Sequence, residues 1–258
     1  MHPPGTLRET LESVKKGLLS IEEAEMEIIG LRLEKVGEMA LLDLGRTTRC
    51  GMPEIVLAEG KNPQVLGAIA VQLATKCGRC LISRVNDEQV EALTSIARTE
   101  GLQMEHVMSA GIILLSNGTQ RPPPRGNIAV LTAGTADIRV AEEARVMAEE
   151  MGCTVLTAYD VGVAGIHRLF SALKGMREAT VFIVVAGREG TLPSIVAGLV
   201  DRPVIGVPVS SGYGYMGKGE AALASMLQSC ALLTVVNIDA GVVAGACAAR
   251  IARMMEGS

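Results

Sequence analysis

Apolar residues recur at spacings of three and four through the first part of the chain: Leu7, Leu11, Val14, Leu18, Ile21, Ala24, Ile28 and Leu31. That period puts them on one helix face and predicts two amphipathic helices across residues 6 to about 40, broken near Ser20. Ser20 ahead of Ile-Glu-Glu suits an N-cap with acidic residues in the first turn. From Glu54 the pattern changes. Ile55-Val56-Leu57, Cys80-Leu-Ile-Ser-Arg84 and Ile112-Ile-Leu-Leu115 are strand-like, while 62–76 and 86–99 are helical, which predicts a small βαβαβ unit.

Arg121-Pro-Pro-Pro-Arg-Gly126 is the clearest break, because consecutive prolines neither continue a helix nor join a sheet interior. It divides the chain into an N-terminal domain, 1–124, and a second domain, 125–258. Five strand-then-helix repeats follow the break. Their strands fall near 127–133, 154–160, 180–186, 203–208 and 233–238, and their helices near 136–151, 165–174, 190–200, 218–229 and 242–255. Right-handed crossovers make a doubly wound parallel sheet the economical topology, so the fold class is α/β.

Composition supports this. Nearly half the residues are apolar, 48%, but aromatic residues are only 2%, so the core must be aliphatic, as parallel strands covered on both faces require. Runs such as Ala179-Thr-Val-Phe-Ile-Val-Val-Ala186 have the length of a buried strand, and none reaches the roughly 18 apolar residues of a membrane helix. The Met1-His-Pro-Pro-Gly start carries no apolar signal region, so the expected address is cytoplasmic. The six cysteines lack the density of a disulfide scaffold and are expected reduced. A net charge of −4 without a basic tract argues against nucleic acid as a partner.

In a doubly wound sheet ligands bind where strands end and helices begin. Those loops are Thr132-Ala-Gly-Thr-Ala-Asp137, Tyr159-Asp-Val-Gly-Val-Ala-Gly-Ile-His-Arg168, Ala186-Gly-Arg-Glu-Gly190, Pro208-Val-Ser-Ser followed by Gly212-Tyr-Gly-Tyr-Met-Gly-Lys-Gly219, and Asn237-Ile-Asp-Ala-Gly241. Gly134, Thr135 and Asp137 open a helix whose free amides and dipole favour a phosphate. Asp137 would repel that phosphate directly, so its use is to hold a ribose hydroxyl or a bridging metal; the bland alternative is capping. His167, with Asp160 and Arg168 near it in sequence, is either structural or an acid–base group, and Glu189 is either helix N-terminal charge complementation or a general base. Cys230 ends a helical stretch before the last strand. The bland reading is a buried small residue, and the negative end of the helix dipole opposes a thiolate there, so a reactive Cys230 needs a compensating cation. Cys77-Gly-Arg-Cys80 has no second ligand pair for zinc and reads as chance. The Gly212–Gly219 loop suits a phosphate wrap or a mobile lid, and Arg46, Arg49 and Lys61 are either solvated surface or anion contacts.

Read together, the strand-end segments above, with Ser229-Cys230 and Val235-Val-Asn-Ile-Asp239, resemble the LarB family. The likeness covers the second domain and continues more weakly into Arg46-Thr-Thr-Arg-Cys-Gly-Met-Pro-Glu54 and Gly60-Lys61. A wider resemblance is to carboxyaminoimidazole ribonucleotide mutase, the PurE fold, whose phosphate loop Gly134 to Asp137 resembles; it implies a PurE-like, flavodoxin-like sheet. Two departures stand out. Thr191 stands where the mutase pattern Ala-Gly-x-x-x-His-Leu-Pro has histidine, and Asn237-Ile-Asp-Ala-Gly-Val-Val-Ala244 replaces the LarB pattern Asn-Ile-Asp-Asn-Gly-Phe-Gly-Ala.

The LarB resemblance implies nicotinic acid adenine dinucleotide and carbon dioxide as substrates. Water splits the phosphoanhydride, giving AMP and the pyridinium-3,5-biscarboxylic acid mononucleotide from which a nickel-pincer cofactor is made. It implies Cys230 as nucleophile on the cationic ring, whose charge is the cation a thiolate needs. Glu189 is the candidate base with His167 behind it. Gly134, Thr135, Asp137, Asp160, Arg168, Gly212 and Gly214 contact the substrate. Magnesium, Mg2+, would meet Asp137 or Asp160. The N-terminal domain would offer Arg46, Arg49 or Lys61, and the PurE likeness implies a homo-oligomer packed through the second domain, an octamer. The alternatives are a PurE-like mutase or carboxylase acting on a purine precursor, disfavoured by Thr191, and a nucleotide-binding module without catalysis.

Overall fold

The computed structural model describes residues 7–36 and 40–255, so the Met1 to Gly5 start lies outside the described residues. The chain divides into two compact units, Met1–Gln120 and Arg121–Ser258. The first begins with α1 (Leu7–Lys15) and α2 (Ile21–Ile28). Ser20 caps α2 in a full capping box: its hydroxyl accepts from the Glu23 amide, and the Glu23 carboxylate accepts from the Ser20 amide. The helical period does not run on to residue 40. Gly30 takes a left-handed φ of 67° that ends the helix, and β1 (Leu33–Val36) pairs antiparallel with β2 (Ala40–Asp43), Leu33 opposite Asp43. Residues 6 and 37–39 of that expectation are outside the described set.

After α3 (Arg46–Cys50) come β3 (Ile55–Leu57), α4 (Pro63–Cys77), β4 (Arg79–Ser83), α5 (Asp87–Thr99), β5 (Gln103–Val107) and β6 (Ile112–Ser116). The sheet order is β3-β4-β6-β5, and only β3 and β4 are parallel. The predicted βαβαβ unit is thus corrected to a mixed βαβαββ sheet. Its core is Leu66, Leu73, Ile82, Leu93, Ile113 and Leu115, with Val36 and Leu42 of the hairpin packed into it. Cys77 is exposed at the end of α4, whereas Cys80 is buried in β4, where loss of water pushes its thiol well up from the ordinary value. Those two environments suit neither a metal nor a redox pair, and the cysteines of the described residues are free.

The second unit follows the predicted repeats closely: β7 (Asn127–Thr132), α6 (Ile138–Glu150), β8 (Thr154–Ala158), α7 (Ile166–Gly175), β9 (Val181–Ala186), α8 (Thr191–Leu199), β10 (Val204–Pro208), α9 (Glu220–Leu227), β11 (Thr234–Val235) and α10 (Gly241–Met255). All five strands are parallel, in the order β11-β10-β9-β7-β8. This is the flavodoxin-like doubly wound sheet. Ala129, Leu131, Phe182, Val184 and Val204 pack against Leu169 of α7, Leu192 and Val196 of α8, and Ala222 and Met226 of α9. The alternate strand residues Ile128, Val130, Ile183 and Val185 are fully buried on the opposite face, where α6 and α10 cross. That crossing is close because Gly241 and Gly245 face backbone: an added Cβ would lie 2.2 Å from the Val140 carbonyl oxygen and 2.4 Å from that of Ala144. No helix among the described residues is long and apolar enough to cross a membrane.

Candidate active site

In this strand order β7 sends its helix toward β8 while the next strand, β9, lies on its other side, so the connections diverge where β7 and β9 end. A cleft of about 320 Å³ opens there, lined by the loops after β7, β8, β9 and β10. Small residues let these loops close up. A Cβ on Gly162 would sit 2.4 Å from the Ala133 carbonyl oxygen, and one on Gly212 only 1.9 Å from that of Gly187. Thr132, wholly buried at the end of β7, accepts the Asp160 amide at 3.0 Å and so ties the second loop to the first.

Asp137 is the best-anchored polar group of the cleft. It is 5% exposed rather than on the surface loop that its sequence position suggests. One carboxylate oxygen accepts the Gly134 amide and the other the Ser211 hydroxyl, each at 2.9 Å. Gly187 makes room for this meeting, since a Cβ there would come within 2.6 Å of the Ser211 oxygen and 3.0 Å of the Asp137 carboxylate. Burial pushes the Asp137 carboxyl up from its ordinary value, and the two hydrogen bonds pull it back only in part. Thr135 makes no side-chain cap at this helix start and does not line the cleft; the capping contact to Gly134 comes from Asp137.

The other candidates separate into three places. Gly134, Asp137, Asp160, Arg168, Glu189 and Gly212 all line the cleft. Asp160, at a positive φ of 57°, is ion-paired with Arg168 at the mouth, and Glu189 is exposed beside Gly190. His167 and Gly214 are exposed but are not among the lining residues, and Asp160 is engaged by Arg168 rather than by His167. Arg46, Arg49 and Lys61 belong to the first unit, each tied locally: Arg46 to Glu54 at 3.0 Å, Arg49 to Asp43 and the Gly30 carbonyl, Lys61 to the Leu57 carbonyl at 2.7 Å.

Cys230 stands apart. It is exposed, so a core-filling role does not hold. It follows α9, which carries the chain from the end of β10 back toward the start of β11, whose first residue Thr234 pairs with Ile205 near the beginning of β10. Cys230 therefore lies on the way back to the strand-starting edge, away from the strand ends that build the cleft, and no residue beyond Tyr213 lines that cleft.

For magnesium, both Asp137 oxygens already accept hydrogen bonds and Asp160 is paired with Arg168. Among the described residues no group of three His, Cys, Asp or Glu could hold a metal ion, so magnesium at Asp137 or Asp160 would take its remaining ligands from water and a substrate phosphate. Three polar side chains of the cleft were not singled out in the sequence: Ser211, Arg188 and Tyr213. The Arg188 guanidinium lies over the Tyr213 ring, 4.8 Å from its centroid, and donates to its hydroxyl at 3.0 Å.

Comparison with known proteins bears on both units. The AIR carboxylase family model matches residues 127–257, and the LarB/PurE-like N-terminal domain model matches residues 33–117. Over 256 residues, 97% of this chain and 98% of the relative, the chain is 42% identical to an uncharacterized protein of Methanocaldococcus jannaschii. Over 130 residues, 48% of this chain and 37% of the relative, it is 33% identical to a probable N5-carboxyaminoimidazole ribonucleotide mutase of Methanothermobacter thermautotrophicus. An N5-carboxyaminoimidazole ribonucleotide mutase of Methanocaldococcus jannaschii is 34% identical over 87 residues, 33% of this chain and 53% of that enzyme. With an AIR carboxylase domain behind a LarB/PurE-like N-terminal domain, the chain belongs to the LarB family, within the PurE-like group of carboxylase-type proteins.

Proposed function

We propose that this protein carboxylates the pyridinium ring of nicotinic acid adenine dinucleotide with carbon dioxide and hydrolyses its phosphoanhydride, releasing AMP and pyridinium-3,5-biscarboxylic acid mononucleotide. The observation that carries this reading is the start of α8. Thr191 lines the cleft at the position where the mutase pattern has histidine, and no imidazole is among the described lining residues, while the N-terminal unit matches the LarB/PurE-like domain. A cleft without that imidazole is poorly furnished for the mutase, whereas pyridinium carboxylation draws its reactivity from the ring.

In the proposed reaction a Cys230 thiolate adds to carbon 6 of the ring, and the ring nitrogen takes up the electron pair to give a neutral enamine. Carbon 5 of that enamine attacks carbon dioxide and forms the new carbon–carbon bond. A base, Glu189 with His167 as alternative, removes the carbon 5 proton; the carbon–sulfur bond breaks and the aromatic cation returns. Water then replaces AMP at the phosphoanhydride phosphorus. The Gly134 amide is given to Asp137, so the Thr135 amide at the helix start is the one that suits a phosphate, Asp137 suits a ribose hydroxyl, and Gly212 and Gly214 a close backbone approach. Arg168 supplies positive charge at the mouth once a ligand anion takes the place of its Asp160 partner. Because Cys230 lies away from its own chain's cleft, this reading takes the thiol from a neighbouring copy in a homo-oligomer.

The test is to supply the purified full chain with bicarbonate and either nicotinic acid adenine dinucleotide or N5-carboxyaminoimidazole ribonucleotide, and follow products by mass spectrometry. AMP together with a mononucleotide one carboxyl heavier supports the reading. Turnover of the imidazole ribonucleotide alone makes the protein a mutase, and binding without turnover of either makes it a nucleotide-binding module.

A further inference from the structure

The chain has only three tyrosines, two phenylalanines and no tryptophan. Phe182 is buried in the sheet, Tyr159 is bonded to Glu142, and Phe170 and Tyr215 are exposed without lining the cleft. Tyr213 is the one aromatic side chain among the described residues of the cleft. Its backbone is held in place, because Gly212 just before it packs on the Gly187 carbonyl so tightly that no Cβ fits. Tyr213 as a whole residue is 71% exposed, so packing against the core does not account for it.

What occupies that ring is a planar cation. Arg188 lies over it and bonds its hydroxyl, and Arg188 makes no ion pair among the described residues. A guanidinium is flat, delocalised and singly charged, and it sits on an aromatic face because the negative quadrupole attracts it. A pyridinium ring has those same properties in the same size range. We propose that Tyr213 is the stacking platform that selects a planar cationic heteroaromatic ring, and that Arg188 occupies that face in the ligand-free chain and turns to the ligand's anionic groups when the ring arrives. This rests on the pyridinium reading above and adds a determinant of specificity to it: preference for the charged ring over an uncharged ring of the same outline.

The experiment compares binding of nicotinic acid mononucleotide with binding of its dihydro form, whose ring is neutral, by calorimetry on the full-length wild type, Tyr213→Phe and Tyr213→Leu. The expected result is that the wild type and Tyr213→Phe prefer the cation, while Tyr213→Leu binds the cation about 3- to 30-fold more weakly and the dihydro form almost unchanged. Thermal melting of each variant checks that the exposed position leaves the fold intact. An unchanged preference in Tyr213→Leu overturns the stacking role and leaves the pyridinium reading standing. An equal loss for both ligands means a merely structural tyrosine and overturns it likewise. Failure of the wild type to bind the pyridinium nucleotide at all removes both.

Discussion

Two inactive variants mixed together should regain activity if Cys230 serves the cleft of a neighbouring copy. Cys230→Ser leaves the cleft intact and removes the thiol; Glu189→Gln leaves the thiol and disables the cleft. Both positions are exposed, so neither change disturbs packing. When the two chains are co-expressed in equal amounts and assemble at random, each site draws its cleft from one chain and its thiol from another. The chance that both are intact is one half times one half, so about a quarter of wild-type activity returns. If thiol and cleft came from the same chain, every site would carry one lesion and activity would stay at the level of the separate variants at any mixing ratio. The assay is AMP release and carboxylated product at several ratios, with native mass spectrometry to verify mixed oligomers. A flat baseline from verified mixed oligomers, or full activity in a monomeric wild type, refutes the shared site.

During turnover, intact-protein mass spectrometry should show a substrate-sized adduct on the Cys230 peptide that is missing from Cys230→Ser; an adduct on Cys153 or Cys247 instead refutes the nucleophile. Glu189→Gln should lower turnover by orders of magnitude and His167→Asn should lower it much less, as the cleft lining implies; the reverse order, measured as kcat, would make His167 the base. Burial raises the Asp137 carboxyl above its ordinary 3.8, so its contribution to stability is full at acid pH and is lost as pH rises through the folded-state value. The melting temperature of wild type minus that of Asp137→Asn should therefore fall between pH 3 and neutrality, and a rise would contradict the assignment. Gly245→Ala forces a Cβ to 2.4 Å from a carbonyl oxygen and should cost about 1–3 kcal/mol, whereas Gly198→Ala meets open space within α8 and should stabilise by about 0.5–1 kcal/mol, both read by thermal melting.

How far the sequence reveals this fold depends on how strongly each element is buried. Every residue of β9, β10 and β6 is buried, so each reads as an apolar run, broken only by Ser116 at the end of β6. The edge strand β5, Gln-Met-Glu-His-Val, has only Met104 and Val107 half covered; its pairing with β6 is made by backbone, which leaves little trace in side-chain pattern. The hairpin of β1 and β2 is hidden for another reason. Leu31 continues the helical spacing by chance past Gly30, and what stops the helix is a left-handed glycine packed on Gly45, where an added Cβ would come within 2.8 Å of a carbonyl oxygen.

The site divides along similar lines. Any strand–helix repeat of this kind brings its strand-end loops to one edge, so the company of Gly134, Asp137, Asp160, Glu189 and Gly212 is legible from their order alone. The same rule applies to Cys230: a residue that closes a helix and precedes a strand travels back toward the opposite edge, and chemistry read from resemblance does not move it. The contacts of Asp137 with Ser211 and of Arg188 with Tyr213 span 74 and 25 residues and depend on how loops fold onto one another, which no local pattern encodes. A cleft built from strand ends and a thiol carried on the returning turn are thus two halves that one chain keeps apart. If both take part in one reaction, assembly is a condition of catalysis, and dilution of the wild type below the concentration at which it assembles should abolish carboxylation while the fold of each chain persists.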